Sequence, residues 1–377
     1  MFAVSPTTIT EAILTDSNVP NVDDVGTSVT ELLIEVAEKT FTTQAGLPFV
    51  AGEWVKAYST ATPANYMYGK IVSYSGTTLV VDMTVNGGAG SPTDWKISYG
   101  WDVGASYLDG DQVQISTGYQ KIYEALENVL GGDSPGIDVD NETPKWLEVS
   151  ATNRWKAFDT QTGTQTSQAT SITYEITLGS TFDSIAFLNM AANTIQVIVT
   201  DPIAGEVYNE TTKLVVWENI TDWYSYFFST DVPYKITDFV INDITPYLNA
   251  VTDIILSYSG GTAKIGNIIF GNKTTIGATQ KEPSFGVTDY STKEVDDFGN
   301  WAIVERTFSK WMNCRVKVDN SYIDYLERFL ALYRATTLVW VGDENYSSMV
   351  IYGFCKDHKA VAGDNVTFVN LSIEGLT

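Results

Sequence analysis

The chain has 377 residues, 44% of them apolar and 18% charged, which is enough apolar side chain to bury cores and too little charge for a disordered polyelectrolyte. A formal net charge of −24, with no basic stripe to release counterions, disfavours nucleic acid and anionic membrane surfaces as partners. At roughly 100–200 residues per domain, the length suggests two to four domains.

Residue usage favours strands. Tyr, Phe, Trp, Val and Thr are abundant, and β-branched and ring side chains pack well on a pleated surface. The two cysteines, Cys314 and Cys355, lie in apolar strand-like segments, and two reduced, packed thiols are expected rather than a disulfide framework. Met1-Phe2-Ala3-Val4-Ser5-Pro6 lacks a basic region followed by an apolar stretch, so no secretory signal is expected. No run of about 18 apolar residues is present. Synthesis and folding in a cytoplasm is the expectation.

In chain order, residues 1–40 read as an arm lying on a neighbour. It contains one short helix capped by Ser28 or Thr30, with Leu32, Leu33, Val36 and Ala37 on one face. Residues 41–99 read as a small all-β, barrel-like module. Its strand candidates are Phe49–Tyr58, Tyr68–Tyr74, Thr77–Met83 and Trp95–Ser98, with Ser75-Gly76 as a tight turn. Residues 100–160 are a connecting segment of strands and loops. An Asp109-Gly110 turn and a short helix from Gln120 to Leu130, ended by Gly131-Gly132, are expected there.

Residues 161–275 carry many short strand signals, among them Ser171–Leu178, Ser184–Leu188, Thr194–Thr200, Lys213–Trp217, Lys235–Val240 and Asp253–Tyr258. This spacing predicts a β-sandwich, jelly-roll-like in character. Residues 276–377 predict an α+β module. Its helix has Asp319 or Asn320 as cap and Ile323, Leu326, Phe329, Leu330 and Tyr333 on one face. The whole reads as a mainly β, multidomain protein.

Two stretches resemble bacteriophage tail proteins. Lys39 to Gly52, Ala64-Asn65-Tyr66-Met67-Tyr68-Gly69, Tyr74 to Leu79 and Asp94-Trp95-Lys96-Ile97 resemble a small β module that recurs in tail fibre and tail tip proteins. Asp289-Tyr290-Ser291, Phe298-Gly299-Asn300, Arg306, Arg334-Ala335-Thr336, Val339-Trp340-Val341-Gly342, Ile351-Tyr352-Gly353-Phe354 and Ile373-Glu374-Gly375-Leu376 resemble a family of minor tail proteins. Trp146-Leu147-Glu148-Val149, Asn153-Arg154-Trp155 and Phe158-Asp159 fit the same family, some of whose members are described as carbohydrate-binding. The resemblance implies a virion component (minor tail, baseplate or fibre-associated) acting in tail assembly and host attachment. Its implied partners are other tail proteins. A homotrimer is the first expectation for its assembly and a hexameric ring the second.

Catalytic chemistry finds weak support in the sequence, and no enzyme activity is expected. The only histidine, His358, would have to serve any Ser-His-Asp triad. Gly132-Asp133-Ser134-Pro135-Gly136 matches the Gly-x-Ser-x-Gly pattern but follows an expected helix, the wrong context for a nucleophile elbow. Among 46 acidic residues, Asp183, Glu218 and Asp222 adjoin aromatics and are the leading carboxylates for a capsule depolymerase. The cluster Asp138-Val139-Asp140-Asn141-Glu142 offers oxygens of the kind Ca²⁺ prefers, yet lacks the calcium-loop spacing, so it reads as an ordinary acidic loop. No cofactor or metal is expected.

The aromatic run Trp217, Trp223, Tyr224 and Tyr226, with Glu218 and Asp222, is the candidate contact site. It either stacks on a host surface saccharide while carboxylates fix the hydroxyls, or packs into a core or a subunit contact.

Overall fold

The computed structural model describes residues 1–22, 25–115, 120–130, 132–216, 223, 234–295, 301–344 and 346–376. The protein is mainly β and multidomain. Its chain divides into two compact units, Pro20–Trp155 and Met1–Val19 with Lys156–Thr377.

The unit 20–155 is built on a curled six-stranded antiparallel sheet, in the order Gly26–Ser28, Trp95–Tyr99, Trp54–Ser59, Tyr66–Ser75, Thr78–Gly87, Glu38–Thr42. The edges are bridged by side chains: Gln44 Oε1 accepts the Thr27 N–H at 3.0 Å, while its Nε2 donates to the Thr27 carbonyl at 3.2 Å. One amide side chain thus makes the reciprocal pair of bonds that a neighbouring strand would make. Phe41, Met67, Leu79, Trp95 and Ile97 fill the interior. A second core of Trp54, Tyr68, Tyr107, Tyr123 and Trp146 joins this sheet to the small sheet Gln112–Ile115, Lys121–Ala125, Trp146–Ala151. The expected modules 41–99 and 100–160 therefore share a core.

Two helices expected in this unit are absent. Residues 28–37 run extended and irregular, with the Leu32 and Ile34 N–H groups donating to the carbonyls of Pro92 and Gly90. Gln120–Leu130 forms the strands Lys121–Ala125 and Val129–Leu130. There Tyr123 and Ala125 point inward at period two, and pairing with Trp146–Ala151 outweighs local helix propensity.

The other unit contains a five-stranded sheet, ordered Gly205–Lys213, Thr194–Asp201, Val251–Ile265, Thr166–Thr177, Leu14–Ser17. Its apolar residues register in rows: Ile172 and Ile195 flank Leu256, and Tyr174 and Val197 flank Ile254, all buried. It is one layer of the β-sandwich. The other layer belongs to a ten-stranded sheet in which Phe239–Ile241, Ser184–Leu188, Asn267–Thr275, Phe2–Pro6, Leu338–Val341, Val350–Ala362, Val366–Gly375, Phe308–Asp319 and Ala278–Thr279 follow in order. Ser284–Asp289 pairs with Phe308–Asp319 beside this path.

Residues 1–40 do not form the expected arm. Phe2–Pro6 is a central strand, paired with Asn267–Thr275 on one side and Leu338–Val341 on the other, and Leu14–Ser17 extends the five-stranded sheet. Phe2, Ala3 and Val4 are buried, so the segment completes its own chain's fold. The same strand fuses the regions read as separate modules on either side of residue 275 into one sheet.

The C-terminal helix spans Ile323–Leu332 and buries Leu326, Phe329 and Leu330 against the same core as Met312, Cys314, Val316 and Trp340. Its N-cap is Tyr322, with no side-chain capping bond. Asp319 instead accepts hydrogen bonds from the Ser321 N–H and hydroxyl, forming the turn before the helix.

Candidate functional site

Of the sequence-predicted contact residues, Trp217, Glu218, Asp222, Tyr224 and Tyr226 lie outside the described residues. Trp223 is described and is 77% exposed, unusual for the largest apolar side chain.

A polar cluster in the unit formed by residues 1–19 and 156–377 centres on the buried Asp238, which precedes the edge strand Phe239–Ile241. Its Oδ1 accepts the Asn189 N–H at 2.8 Å, and its Oδ2 accepts the Thr237 hydroxyl at 2.8 Å and Lys310 Nζ at 2.6 Å. Asn189 adopts a left-handed φ of 53°, a conformation Asn tolerates better than most residues. Gln165 Nε2 bonds its carbonyl and its Oδ1, while Asn189 Nδ2 donates to the Thr162 carbonyl at 2.7 Å. Lys310 lies on Phe308–Asp319, near the opposite end of the ten-stranded sheet. The ion pair therefore links the two ends of a curled sheet.

Beside this pair is a cleft of about 250 Å³, walled by Leu188, Phe308, Val350, Ile351, Tyr352 and Leu376, with Asn189, Asp238 and Lys310 among its polar points. Burial raises the Tyr352 phenol pKa above its ordinary value, against a hydrogen bond from Thr337, so it stays protonated at neutral pH. A second cleft of about 340 Å³ shares Asp238 and Val350 and adds Phe2, Phe239, Val341 and Glu344. Apolar walls with a few fixed polar groups suit the binding of a small amphipathic group such as a sugar ring. Among the described lining residues of the first cleft, Asp238 is the single carboxylate, and both its oxygens are already engaged.

The remaining candidates are tied into local structure. Asp183 Oδ1 accepts the Lys273 N–H and the Ser184 hydroxyl, both at 2.7 Å. His358 Nε2 lies 2.9 Å from Glu327 Oε2, bridging a strand to the C-terminal helix. Ser134 follows the short strand Val129–Leu130 rather than the expected helix and opens the single helical turn Pro135–Asp138. It belongs to the unit 20–155, and His358 belongs to the other. In the acidic loop, Asp138 is buried and accepts the N–H groups of Lys145 and Trp146 and an amide N–H of Asn141. That carboxylate holds the chain's own backbone. No grouping of three or more metal-ligating side chains occurs among the described residues, and no described helix is long and apolar enough to cross a membrane.

Sequence reading missed Asp238, Lys310 and Asn189. They are separated by tens of residues and belong to no motif, and only the sheet's curl brings them together.

No protein-family model matches the chain, and no curated protein matches it in sequence. Among solved structures, a GH78 family rhamnosidase of Bacillus sp. GL1 aligns over 76% of this chain at 10% identity with a TM-score of 0.22. The chain spans about a third of that enzyme, 36% of its length, and a likeness this slight carries no argument.

Proposed function

We propose that the chain is a structural component of a bacteriophage tail, acting in tail assembly and host attachment, with other tail proteins as its partners and without a catalytic role. The reading rests on the resemblance of residues 39–97 to the module recurring in tail fibre and tail tip proteins. One observation supports it above others: this stretch forms most of a curled sheet packed around an apolar core. Mass spectrometry and immunogold labelling of purified virions test it. The chain should be found in the tail, and particles lacking it would overturn the reading.

A second reading is favoured by one specific observation, the exposure of Trp223 within the aromatic run. We propose it as an accompanying role: the central sandwich binds a host surface saccharide by stacking on Trp223. A glycan array with the full chain and with Trp223→Ala tests this. Binding lost in the variant supports it, whereas absent or unaltered binding removes it. Release of sugar from host capsule would instead reveal a depolymerase.

A further inference from the structure

Ser284–Asp289 pairs with the start of Phe308–Asp319, and Thr292–Val295 pairs with Trp301–Val304. Together they form one long antiparallel ribbon, bridged by the Tyr290 N–H to the Thr307 carbonyl. Phe308–Asp319 meets its other neighbour, Val366–Gly375, only from the Trp311–Glu374 pair onward. From there to the Val295–Trp301 pair, the two arms pair only with each other among the described residues, over roughly 25–30 Å of strand.

The ribbon is apolar where a free ribbon should be polar. Phe285, Val287, Val295, Trp301, Ile303 and Phe308 are between 43% and 67% exposed. The run Trp301-Ala302-Ile303-Val304 has neither charge nor proline on an unpaired edge, against the usual protection of such edges. A two-stranded ribbon alone is marginal in water, and contiguous exposed apolar surface marks a binding face.

We infer that this ribbon is a self-association element, packing against the same ribbon of a second copy of the chain. Area supports this occupant. The six residues expose roughly 640 Å² together, within the ~600–1,000 Å² per partner of a standard interface. In a two-fold contact each copy contributes that same patch. Electrostatics supports it as well. Two chains of −24 repel, and a contact between copies must fall where acids are sparse. The described ribbon carries Asp289, Glu294 and Glu305 against Lys293 and Arg306, and its Trp301–Val304 edge carries no charge at all. An uncharged edge can face its own antiparallel copy without setting like charges opposite each other.

The inference deepens the assembly reading and rests on it for the claim that the working state is an assembly. The full chain and the double variant Trp301→Ser/Ile303→Ser are compared by light scattering and native mass spectrometry. Thermal midpoint serves as the folding control, since both side chains are exposed. Self-association is expected to weaken at least about 100-fold in the variant. A wild-type chain that stays monomeric overturns the inference, as does an oligomer indifferent to the double substitution. The virion experiment is independent of these outcomes, so loss of the ribbon contact and loss of the tail assignment are distinguishable.

Discussion

Lys310 and Asp238 are 72 residues apart, and their side chains meet at 2.6 Å with the carboxylate almost wholly buried. The lysine remains 28% exposed, so the pair is screened on one side only. Lys310→Met leaves a buried carboxylate without its cation and is expected to cost about 2 kcal/mol. Adding Asp238→Asn should recover at least half of that, because an uncharged amide needs no counterion. Hydrogen exchange of the amides around Asn189 under urea measures both effects.

Gly271 lies between Ser184 and Pro6 in the ten-stranded sheet. A methyl group there would run into the Ser5 carbonyl and the Val4 side chain. Gly271→Ala is therefore expected to destabilise by roughly 1–3 kcal/mol and to expose the amides of residues 2–6 to exchange before the rest of the sheet. Uniform exchange across the sheet would contradict this.

Cys314 is buried and Cys355 half-buried, and desolvation pushes both thiols up to about 11. Both are then protonated at neutral pH and poor nucleophiles. Alkylation with iodoacetamide, read by intact mass, should leave the native chain unmodified over a period in which the urea-unfolded chain takes up two labels.

Burial raises the pKa of the Glu53 carboxyl above its ordinary 4.5, against a hydrogen bond from Gln114. Folding then favours the protonated form. The contribution is full below the unfolded pKa and is lost as pH rises through the higher folded value. Glu53→Gln is expected to flatten the pH dependence of the unit 20–155 in this window, with the variant gaining on the wild type as pH rises. Parallel stability profiles for the two chains would refute the assignment.

The sandwich strands were legible in the sequence because Ile195, Val197 and Val199 alternate with polar residues, a pattern that only a half-buried strand satisfies. Gln120–Leu130 misled because Ile122, Leu126 and Leu130 recur at helical spacing. A partner strand some 25 residues away settles that contest, and no local pattern reports it. Ser28–Ala37 failed for the same reason, its backbone groups bonding around residues 90–92. The Asp238 cluster was illegible because each member is an ordinary polar residue until the sheet bends. The strand Phe2–Pro6 was hidden by distance, since its two neighbours lie more than 260 residues downstream.

That separation sets an order of events during synthesis. Residues 20–155 emerge early and contain all their own strand partners, so they can fold while translation continues. The strand Phe2–Pro6 gains its first neighbour once residue 275 has left the ribosome and its second with residue 341, which at 5–20 residues per second follows roughly 20–70 s behind the strand itself. Until those neighbours emerge, Phe2, Ala3 and Val4 are apolar side chains without the sheet that buries them. Folding yield in a cell should therefore follow translation speed between residues 275 and 341 of the message.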